Sequence, residues 1–491
     1  MQSLRVRIAG DNLVSVPASL TCLTTYVLLE QEDWFEKEIA WVRRAIMPGM
    51  RAVDIGANYG VYSVALARAV GTAGRVWAYE PSTVTHRALL QTLSQNKLGQ
   101  VDAQACALSD FEGTGQLSIE QSSELNSLVA TQADRTEPVA VTTLDAESER
   151  LGIRDIDFVK LDAEGAELGI IQGAPRFFES EDPLVMFEVT HGTTANAGLP
   201  DAFRERGFGL FRLVGPSRLL VPSPAGERLD RFELNLFACK PGCAAALAQR
   251  GLLVHGPTHA AAPTQVSDGI AAFEAQAFAS SWPRGARVPG AALGRALSAY
   301  SQWLAGATPL ERVAGLTRAL AELEPELQRT PSAATLSMLA RVAFESARRE
   351  LAVAALGRLL AMASRGQLQI TEPCWPASAR FDTLTVAGDP AGFIVASAIE
   401  AIVSWFVFSS YFADANNPSF GFLDRLQQTP YASAPMERRR QLQLIRTGRA
   451  SAVTAHPLLA HAAPNNLNAD LWRQAAAEGT SIPRSLMTEI R

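Results

Sequence analysis

The segment from Asp54 to Gly60 has the residue types of a ligand-binding turn. It reads DIGANYG and follows a short apolar run. Gly56 permits a sharp turn after a strand, and Gly60 permits close packing at the start of a helix, so a ligand can approach the main-chain N–H groups between them. Glu80 ends the next apolar run, where a carboxylate can accept hydrogen bonds from both hydroxyls of a ribose. The spacing predicts a nucleotide site.

The residues of this turn discriminate between cofactors. A dinucleotide fingerprint reads G-x-G-x-x-G, whereas Asn58 stands where a glycine would let a pyrophosphate approach. Asp54 places a carboxylate at the end of the strand, which favours a cationic ligand. S-adenosylmethionine, with an amino group and a sulfonium, therefore fits better than NAD, and an NAD-linked oxidoreductase is the disfavoured alternative.

A second group of polar residues follows two later apolar runs. FVKLDAEGAE places Asp162 and Glu164 after one predicted strand, and LVMFEVTHG places Glu188 at the end of the next strand, with His191 in the loop beyond it. Because the carboxyl ends of parallel strands meet at one sheet edge, these side chains are expected to converge beside the turn. The alternatives are that Glu164 caps the following helix and that His191 is an ordinary loop residue.

Methyl transfer from a sulfonium needs little more than alignment of the acceptor and, for a hydroxyl, removal of its proton. Asp162 is the first choice for holding the acceptor or its proton, and an imidazole with a pKa near 6.5 also suits a general base. Asp162, Glu164 and Glu188 also offer the oxygen ligands typical of Mg²⁺. The spacing of these residues does not decide between a metal-free general base and a Mg²⁺ site, and the metal-free mechanism is favoured.

These residues need a scaffold, and the first 245 residues alternate short apolar runs with longer helix-like segments. Such alternation is typical of βαβ units around a parallel sheet. The predicted strands are residues 52–54, 76–80, 103–107, 158–162, 184–189, 208–213 and 234–238. The predicted helices are residues 33–46, 60–69, 82–98, 166–178 and 201–206. The expected fold is α/β, Rossmann-like, with a mostly parallel, doubly wound sheet.

The pattern changes after about residue 250. Glycine, proline and small polar residues indicate a linker over residues 251–268, which separates a domain of residues 1–250 from a mostly α-helical domain of residues 269–491. The predicted helices of the second domain include residues 291–304, 310–327, 333–347 and 349–363. The run from 392 to 412 is long enough to cross a bilayer, but Glu400 near its centre favours a buried core helix.

Composition narrows the class of protein. The 491 residues are 47% apolar and 19% charged, with a net charge of -6, which describes a globular protein without the basic character of nucleic-acid binders. Five scattered cysteines and an N-terminus without a continuous apolar run favour free thiols and a cytoplasmic location. The basic run at residues 437–440 is interpreted as a solvated helix face, and the aromatic run at 405–408 as core.

With these motifs in view, residues 35–240 resemble the FkbM family of S-adenosylmethionine-dependent methyltransferases. Successive blocks agree in order: VDIGANYGVYS, VWAYEPS, ALSDFEGTGQLSI, VTTLDAESERLGIRDIDFVKLDAEGAELGIIQGA, PLVMFEV and LNLFA. The resemblance implies a class I methyltransferase fold. It also implies that the turn from Asp54 through Gly56, Ala57 and Asn58 to Gly60 lines the methionine half of the cofactor, that Glu80 takes the ribose, and that Ser109 and Asp110 lie by the adenine.

The sequence therefore predicts an O-methyltransferase that modifies a hydroxyl of a sugar, glycan or secondary metabolite. The helical domain lies outside the resemblance and is expected to recognise substrate, bind a protein partner or form homo-oligomers. The rival hypothesis is an inactive methyltransferase fold that serves as a binding or scaffold protein through its helical domain. Failure to bind the cofactor would favour this rival.

Overall fold

A computed structural model of the chain describes residues 3–119, 135–191, 194–195, 198–215, 218–254, 271, 290–370, 372–386, 388–413, 419–447 and 449. The strands are β1 Ser3–Ile8, β2 Asn12–Pro17, β3 Arg51–Ile55, β4 Arg75–Tyr79, β5 Val101–Gln104, β6 Ala107–Leu108, β7 Gly113–Ser118, β8 Thr136–Thr142, β9 Phe158–Leu161, β10 Leu184–Glu188, β11 Thr190–His191, β12 Thr194–Ala195, β13 Gly209–Val214, β14 Leu219–Pro222 and β15 Asn235–Cys239.

The helices alternate with these strands up to residue 249 and then continue alone in the described residues. They are α1 Leu23–Gln31, α2 Lys37–Ala45, α3 Val61–Val70, α4 Thr83–Gln95, α5 Leu144–Leu151, α6 Glu167–Gln172, α7 Pro175–Ser180, α8 Gly198–Glu205, α9 Pro241–Gln249, α10 Ala291–Ala305, α11 Pro309–Leu323, α12 Ala333–Glu345, α13 Arg349–Ser364, α14 Pro390–Phe406, α15 Ser419–Gln427 and α16 Ala434–Arg446. An α/β unit followed by helices was predicted, and this is confirmed.

The main sheet has eight strands in the order β14-β13-β15-β10-β9-β3-β4-β5. The five strands from β10 to β5 are parallel, whereas β15, β13 and β14 run antiparallel at one edge. The chain winds outward from β3 through β4 to β5, returns to β9 beside β3, and continues to β10. This reversal leaves a crevice at the carboxyl ends of β3 and β9, where open α/β sheets bind ligands.

Local sequence explains the elements that border this crevice. All four residues of β9 are buried, as expected of a central parallel strand covered on both faces. Helix α4 begins where Ser82 accepts a hydrogen bond from the N–H of Thr85, and Pro81 bars continuation of β4. The doubly wound, mostly parallel sheet predicted from the sequence is confirmed.

Three small sheets of the described residues were not predicted: β1–β2, β11–β12 and β6–β8–β7. The β1–β2 hairpin joins α4 through the N–H of Leu13, which donates to Oδ1 of Asn96 at 2.9 Å, and the N–H of Ser15, which donates to Oγ1 of Thr92 at 2.9 Å. Strands β6, β8 and β7 form a three-stranded sheet beside β5 in the chain. The first is a local hairpin, whereas β8 pairs with β6 and β7 across an intervening segment of the chain, which apolar periodicity does not reveal.

The helical part packs back onto the α/β unit. Helices α10 and α11 pair, as do α12 and α13, and α16 reaches α1. Leu442 and Leu444 of α16 are buried in the same core cluster as Leu28 and Leu29 of α1. The two parts therefore share a core. The division at residues 251–268 stays a prediction, and residues 255–268 lie outside the described part of the chain.

The apolar run from 392 to 412 forms α14 and the turn after it. Glu400 pairs with Arg380 at 2.6 Å, and its side chain is only 15% exposed. The predicted core helix is thus confirmed, with its charge neutralised by a partner. Among the described helices, none combines the length and apolar composition needed to cross a lipid bilayer.

The solvated face predicted for residues 437–440 is wrong. Glu437, Arg438 and Arg439 are buried. Arg438 pairs with Glu32 at 3.0 Å and Arg439 with Glu30 at 3.6 Å, so this run is the polar seam between α16 and α1. Nothing in the local sequence indicates that carboxylates four hundred residues away would face these arginines.

The aromatic run divides into three environments. Trp405 is buried and stacks on Phe344 with ring centroids 3.8 Å apart, as a core residue should. Phe406 is 40% exposed. Phe408 lines the site described below, so the core interpretation holds for Trp405 alone.

Candidate active site

The turn after β3 is held between its two neighbouring strands. The N–H groups of Gly56 and Ala57 donate to the carbonyl of Tyr79 at the end of β4, at 3.1 and 2.9 Å. Gly56 has φ +76°, and a Cβ there would lie 1.7 Å from the carbonyl oxygen of Asp162. Only glycine satisfies both the backbone conformation and this close approach.

The turn continues in left-handed conformations into α3. Asn58 has φ +49°, and its N–H donates to Oε2 of Glu80 at 3.0 Å. Gly60, at φ +90°, precedes the first residue of α3, and its N–H donates to the carbonyl of Ala57 at 2.9 Å. Four main-chain N–H groups of the turn are therefore engaged within the protein, which differs from the expectation that they receive the ligand.

Glu80 is positioned by the loop that follows β4. It is 7% exposed, and its Oε1 accepts a hydrogen bond from the N–H of Ser82 at 2.9 Å. With Asn58 bound to the other oxygen, the carboxylate is fixed at the edge of the turn, where it lines the main cavity. The role predicted for Glu80 at the ribose hydroxyls stays a prediction.

Asp54 lies behind the turn and does not line the cavity. It is fully buried, and its Oδ2 accepts a hydrogen bond from the hydroxyl of Ser63 at 2.6 Å. Burial raises the pKa of Asp54, and the ammonium of Lys160, 4.0 Å away, opposes that rise. Asp54 thus links the end of β3 to α3 behind the turn through Ser63.

A cavity of about 520 Å³ opens at this crevice, a volume within the range of small-molecule sites. Seven of the predicted residues line it: Gly56, Ala57, Asn58, Glu80, Asp162, Glu164 and Glu188. Tyr79 and Leu108 close the side of Glu80 with apolar surface. The sheet-edge rule therefore placed the two sequence-distant groups in one cavity, as predicted.

Three carboxylates of the cavity wall meet at one place. Asp162, Glu164 and Glu188 each offer one oxygen, and these oxygens lie within 4.8 Å of one another. Loss of solvation is the main cause that raises the pKa of Glu188, and with the negative charges of Asp162 and Glu164 added the pKa reaches about 10. Glu188 is therefore protonated at neutral pH in the absence of a cation.

Lys160 is the basic residue that lines this cavity in the described part of the chain. Its Nζ donates to Oδ2 of Asp162 at 2.8 Å. Burial lowers the pKa of Lys160, but Asp162 and Asp54 raise it by more, so the amine remains an ammonium. The cleft still holds more carboxylates than cations.

The helix-capping alternative for Glu164 is not what the structure shows. Glu167 accepts hydrogen bonds from the N–H groups of Ala163 and Gly165, at 2.8 and 3.2 Å, and so takes the role at the start of α6. Glu164 has φ +52° and lines the cavity. A left-handed conformation at a non-glycine residue costs energy and is common at functional sites.

The structure does not place three of the predicted site residues on the cavity wall: Ser109, Asp110 and His191. Ser109 and Asp110 do not line the cavity, although Ala107 and Leu108, just before them, do. His191 lies in β11, paired with Thr194, and its side chain is outside the described part of the structure. The roles predicted for these three residues stay predictions.

Sequence reasoning missed the walls that come from outside the βαβ units. Glu36 lines the cavity and accepts a hydrogen bond from the hydroxyl of Tyr62 at 2.6 Å. Phe408 and Phe412, after α14, line the same cavity. No motif marks these residues, because their position depends on how the two ends of the chain pack on the sheet.

The comparisons with known proteins agree with this geometry. The methyltransferase FkbM domain matches residues 54–210, about a third of the 491 residues. No curated protein sequence matches the chain. The resemblance and the methyltransferase class predicted from the motifs are confirmed over the matched range, and with them the S-adenosylmethionine cofactor. Residues 54–210 are therefore similar to the methyltransferase FkbM domain.

Solved structures of other methyltransferases are similar to part of the chain. A putative rRNA-methylase from Clostridium thermocellum is 11% identical, with 42% of this chain and 96% of that chain covered and a TM-score of 0.28. An S-adenosylmethionine-dependent O-methyltransferase from Thermotoga maritima is 17% identical, with 42% and 64% covered and a TM-score of 0.25. A putative methyltransferase from Streptococcus mutans, in complex with S-adenosylhomocysteine, is 9% identical, with 41% and 95% covered and a TM-score of 0.25.

Proposed function

We propose that this protein transfers a methyl group from S-adenosylmethionine to a hydroxyl oxygen of a small-molecule or glycan acceptor. The observation that carries the proposal is the meeting of oxygens of Asp162, Glu164 and Glu188 within 4.8 Å in the same cavity that the glycine turn and Glu80 line. Glu80 suits a ribose, and the three carboxylates suit a cation and a proton.

The cofactor's shape fits this division. Glu80 would accept the ribose hydroxyls, and Tyr79 and Leu108 would cover the adenine. The carboxylate end would receive the sulfonium and the amino group, whose positive charges offset the excess of negative charge there. A pyrophosphate would find the N–H groups of the turn already engaged, which supports S-adenosylmethionine over NAD.

In the proposed reaction, the acceptor oxygen attacks the methyl carbon as the bond from carbon to sulfur breaks. S-adenosylhomocysteine leaves as a neutral thioether, and the hydroxyl proton passes to a carboxylate. Asp162 is the proposed base, because it lines the cavity and Lys160 holds its orientation through a charge-assisted hydrogen bond. The main contribution of such a site to the reaction is to hold the acceptor oxygen and the base in the correct orientation.

The same carboxylates have the oxygen chemistry that Mg²⁺ prefers. A bound Mg²⁺ would acidify a coordinated hydroxyl. Lys160 already supplies a cation at Asp162, so the metal-free route is the proposed one.

The first experiment is calorimetric titration of the full chain with S-adenosylmethionine, S-adenosylhomocysteine and NAD. We expect saturable binding of the two sulfur nucleotides, and at least tenfold weaker binding in Glu80→Gln. Glu112→Gln, the same change at an exposed residue, is the matched control and should bind normally. A folded wild-type chain that binds neither sulfur nucleotide would contradict the proposal and favour the scaffold hypothesis.

Transfer itself is tested with S-adenosylmethionine labelled at the methyl group and a panel of hydroxylated acceptors, with EDTA and with added Mg²⁺. We expect the wild-type protein to transfer the label to an alkali-stable ether even in the presence of EDTA. We expect Asp162→Asn to transfer none. Label that appears only with Mg²⁺ would replace the proposed base with a metal.

A further inference from the structure

A second cavity, of about 410 Å³, adjoins the cofactor cleft. Phe35, Glu36, Leu234 and Phe408 line both cavities, so the two are neighbours. The second cavity lies where the α/β unit meets the helices, and residues from α12, α13, α14 and α16 form its far wall.

The wall of the second cavity is aromatic. Its aromatic members are Phe35, Phe232, Phe344, Trp405 and Phe408. Flat apolar surface of this kind packs against rings, including the apolar faces of sugars.

A guanidinium lies against these rings. The central carbon of the Arg349 guanidinium is 4.1 Å from the ring centroid of Phe408 and 5.1 Å from that of Phe232. Nη2 donates to the carbonyl of Ser404 at 2.9 Å, and Nε donates to the carbonyl of Trp405. Among the described residues, no carboxylate oxygen lies within 4.0 Å of its nitrogens.

The acidic residues of the same cavity have other partners. Glu233 pairs with Lys37 at 3.1 Å, and Glu38 lies 3.8 Å from the same ammonium. Both oxygens of Asp230 accept main-chain N–H groups, from Phe232 at 3.0 Å and from Glu350 at 2.8 Å. Among the described residues, Arg349 is therefore a cation in an aromatic cavity with no ion pair within 4.0 Å, and Asp230 and Glu233 act on its charge only from a longer distance.

A second guanidinium, Arg439, lines the same cavity. Loss of solvation is the main cause that lowers the pKa of Arg349 to about 9; the charge of Asp230 opposes this shift, and the positive charge of Arg439 adds to it. An anion beside Arg349 would relieve both penalties, since desolvated guanidinium groups bind phosphate and carboxylate strongly.

We infer that the second cavity is the acceptor site and that it takes an acceptor with an anionic group, a phosphate or a carboxylate, which Arg349 binds while the aromatic wall holds the acceptor's body. This inference rests on the proposed function for the meaning of "acceptor". It gives the helical part a role, because Arg349 lies on α13, Trp405 lies on α14, and Phe408 follows α14 directly.

The test uses the full chain and three ring-bearing probes: phenyl phosphate, phenylacetate and neutral benzyl alcohol. Each is titrated calorimetrically, with and without saturating S-adenosylhomocysteine. We expect saturable binding of at least one anion, at least tenfold tighter than that of benzyl alcohol. The phosphate and carboxylate arms identify which anion the site prefers.

Variants locate the binding. Arg349→Met should lose at least tenfold in affinity for the anion and leave benzyl alcohol unchanged, and Arg349→Lys should retain part of the affinity. Arg365→Met, at an exposed arginine just after α13, is the matched control. Melting curves and S-adenosylhomocysteine affinity check that Arg349→Met still folds.

Equal affinities for anions and alcohol, undiminished anion binding by Arg349→Met, or a cofactor-binding wild type that binds neither anion would overturn the inference. If the wild-type chain binds the anion at Arg349 but does not bind S-adenosylhomocysteine, the result would instead contradict the proposed function.

Discussion

At the scale of single residues, backbone space and carboxylate charge define the cofactor cleft. Gly56 lets the turn pass against the carbonyl of Asp162, so the end of β3 and the end of β9 are held together at this point. Glu188, half-buried among acidic side chains, keeps its proton until a cation arrives. Each property belongs to one residue and can be altered there.

Gly56→Ala tests the close approach. A Cβ 1.7 Å from the Asp162 carbonyl oxygen requires the turn to move, so we expect at least tenfold weaker S-adenosylhomocysteine binding. Gly152→Ala is the control, because Gly152 also has a positive φ, +64°, but open space around its Cβ. It should cost about 1 kcal/mol of stability and leave binding unchanged. Calorimetry and thermal melting give both values, and equal effects of the two changes would refute the steric explanation.

Glu188→Gln tests the buried proton. Since the pKa of Glu188 is raised from 4.5 to about 10, the folded protein binds this proton more tightly than the unfolded chain. The proton on Glu188 therefore stabilises the folded state at low pH, and this stabilisation is lost as pH rises between those two values. The glutamine variant lacks this loss, so the free energy of unfolding of the variant relative to wild type should increase from pH 6 to pH 9. Urea denaturation at the two pH values measures it, with Glu112→Gln as the exposed control. A pH-independent difference would contradict the shifted pKa.

At the scale of elements, local signals fixed most strands and helices, and tertiary contacts fixed the rest. Residues 166–178 were predicted as one helix, but α6 ends at Gln172 and α7 begins at Pro175. Gly173 packs so closely on the carbonyl of Ser109 that a Cβ would lie 2.1 Å from it. Pro175 was a visible signal for the break, whereas the contact with Ser109 was not.

The candidate site divides in the same way. Gly56, Glu80 and Asp162 were predictable because each follows a recognisable strand and parallel strands share an edge. Phe408 was interpreted as core, and Glu36 was not identified, because each reaches the cavity through packing between segments far apart in the chain.

Helix α14 gives the prediction at this scale. Glu400→Leu removes the carboxylate from Arg380, whose side chain is 29% exposed and which also donates to the carbonyl of Tyr431 at 2.7 Å. We expect a loss of about 1–3 kcal/mol, less than for a fully buried pair because water reaches the arginine. Adding Arg380→Met should recover much of the loss, since no uncompensated charge remains. Chemical denaturation of the double-mutant cycle measures the coupling, and additive losses would contradict a pairwise interaction.

At the scale of the whole molecule, the helical part completes the enzyme's cleft. Residues after α14 line the cofactor cavity, α16 shares a core with α1, and the polar seam between them centres on Glu30, which is 1% exposed. Glu30 accepts hydrogen bonds from the hydroxyl of Ser409 at 2.5 Å and the N–H of Ser410 at 3.0 Å, and it faces Arg439. Cofactor binding and docking of the C-terminal helices should therefore be linked.

Glu30→Gln tests this linkage without touching the cavity that holds the cofactor. The change keeps the side chain's shape but leaves Arg439 buried without its counter-charge, so we expect a loss of about 2–4 kcal/mol. The matched control, Glu32→Gln, breaks the more exposed pair with Arg438 and should cost about 0–1 kcal/mol. Because Phe408 and Phe412 lie just beside the seam, Glu30→Gln should also weaken S-adenosylhomocysteine binding several-fold, and the nucleotide should protect amides of residues 405–412 from hydrogen exchange in wild type. Protection confined to the glycine turn, with unchanged affinity in Glu30→Gln, would show that the α/β unit binds the cofactor alone.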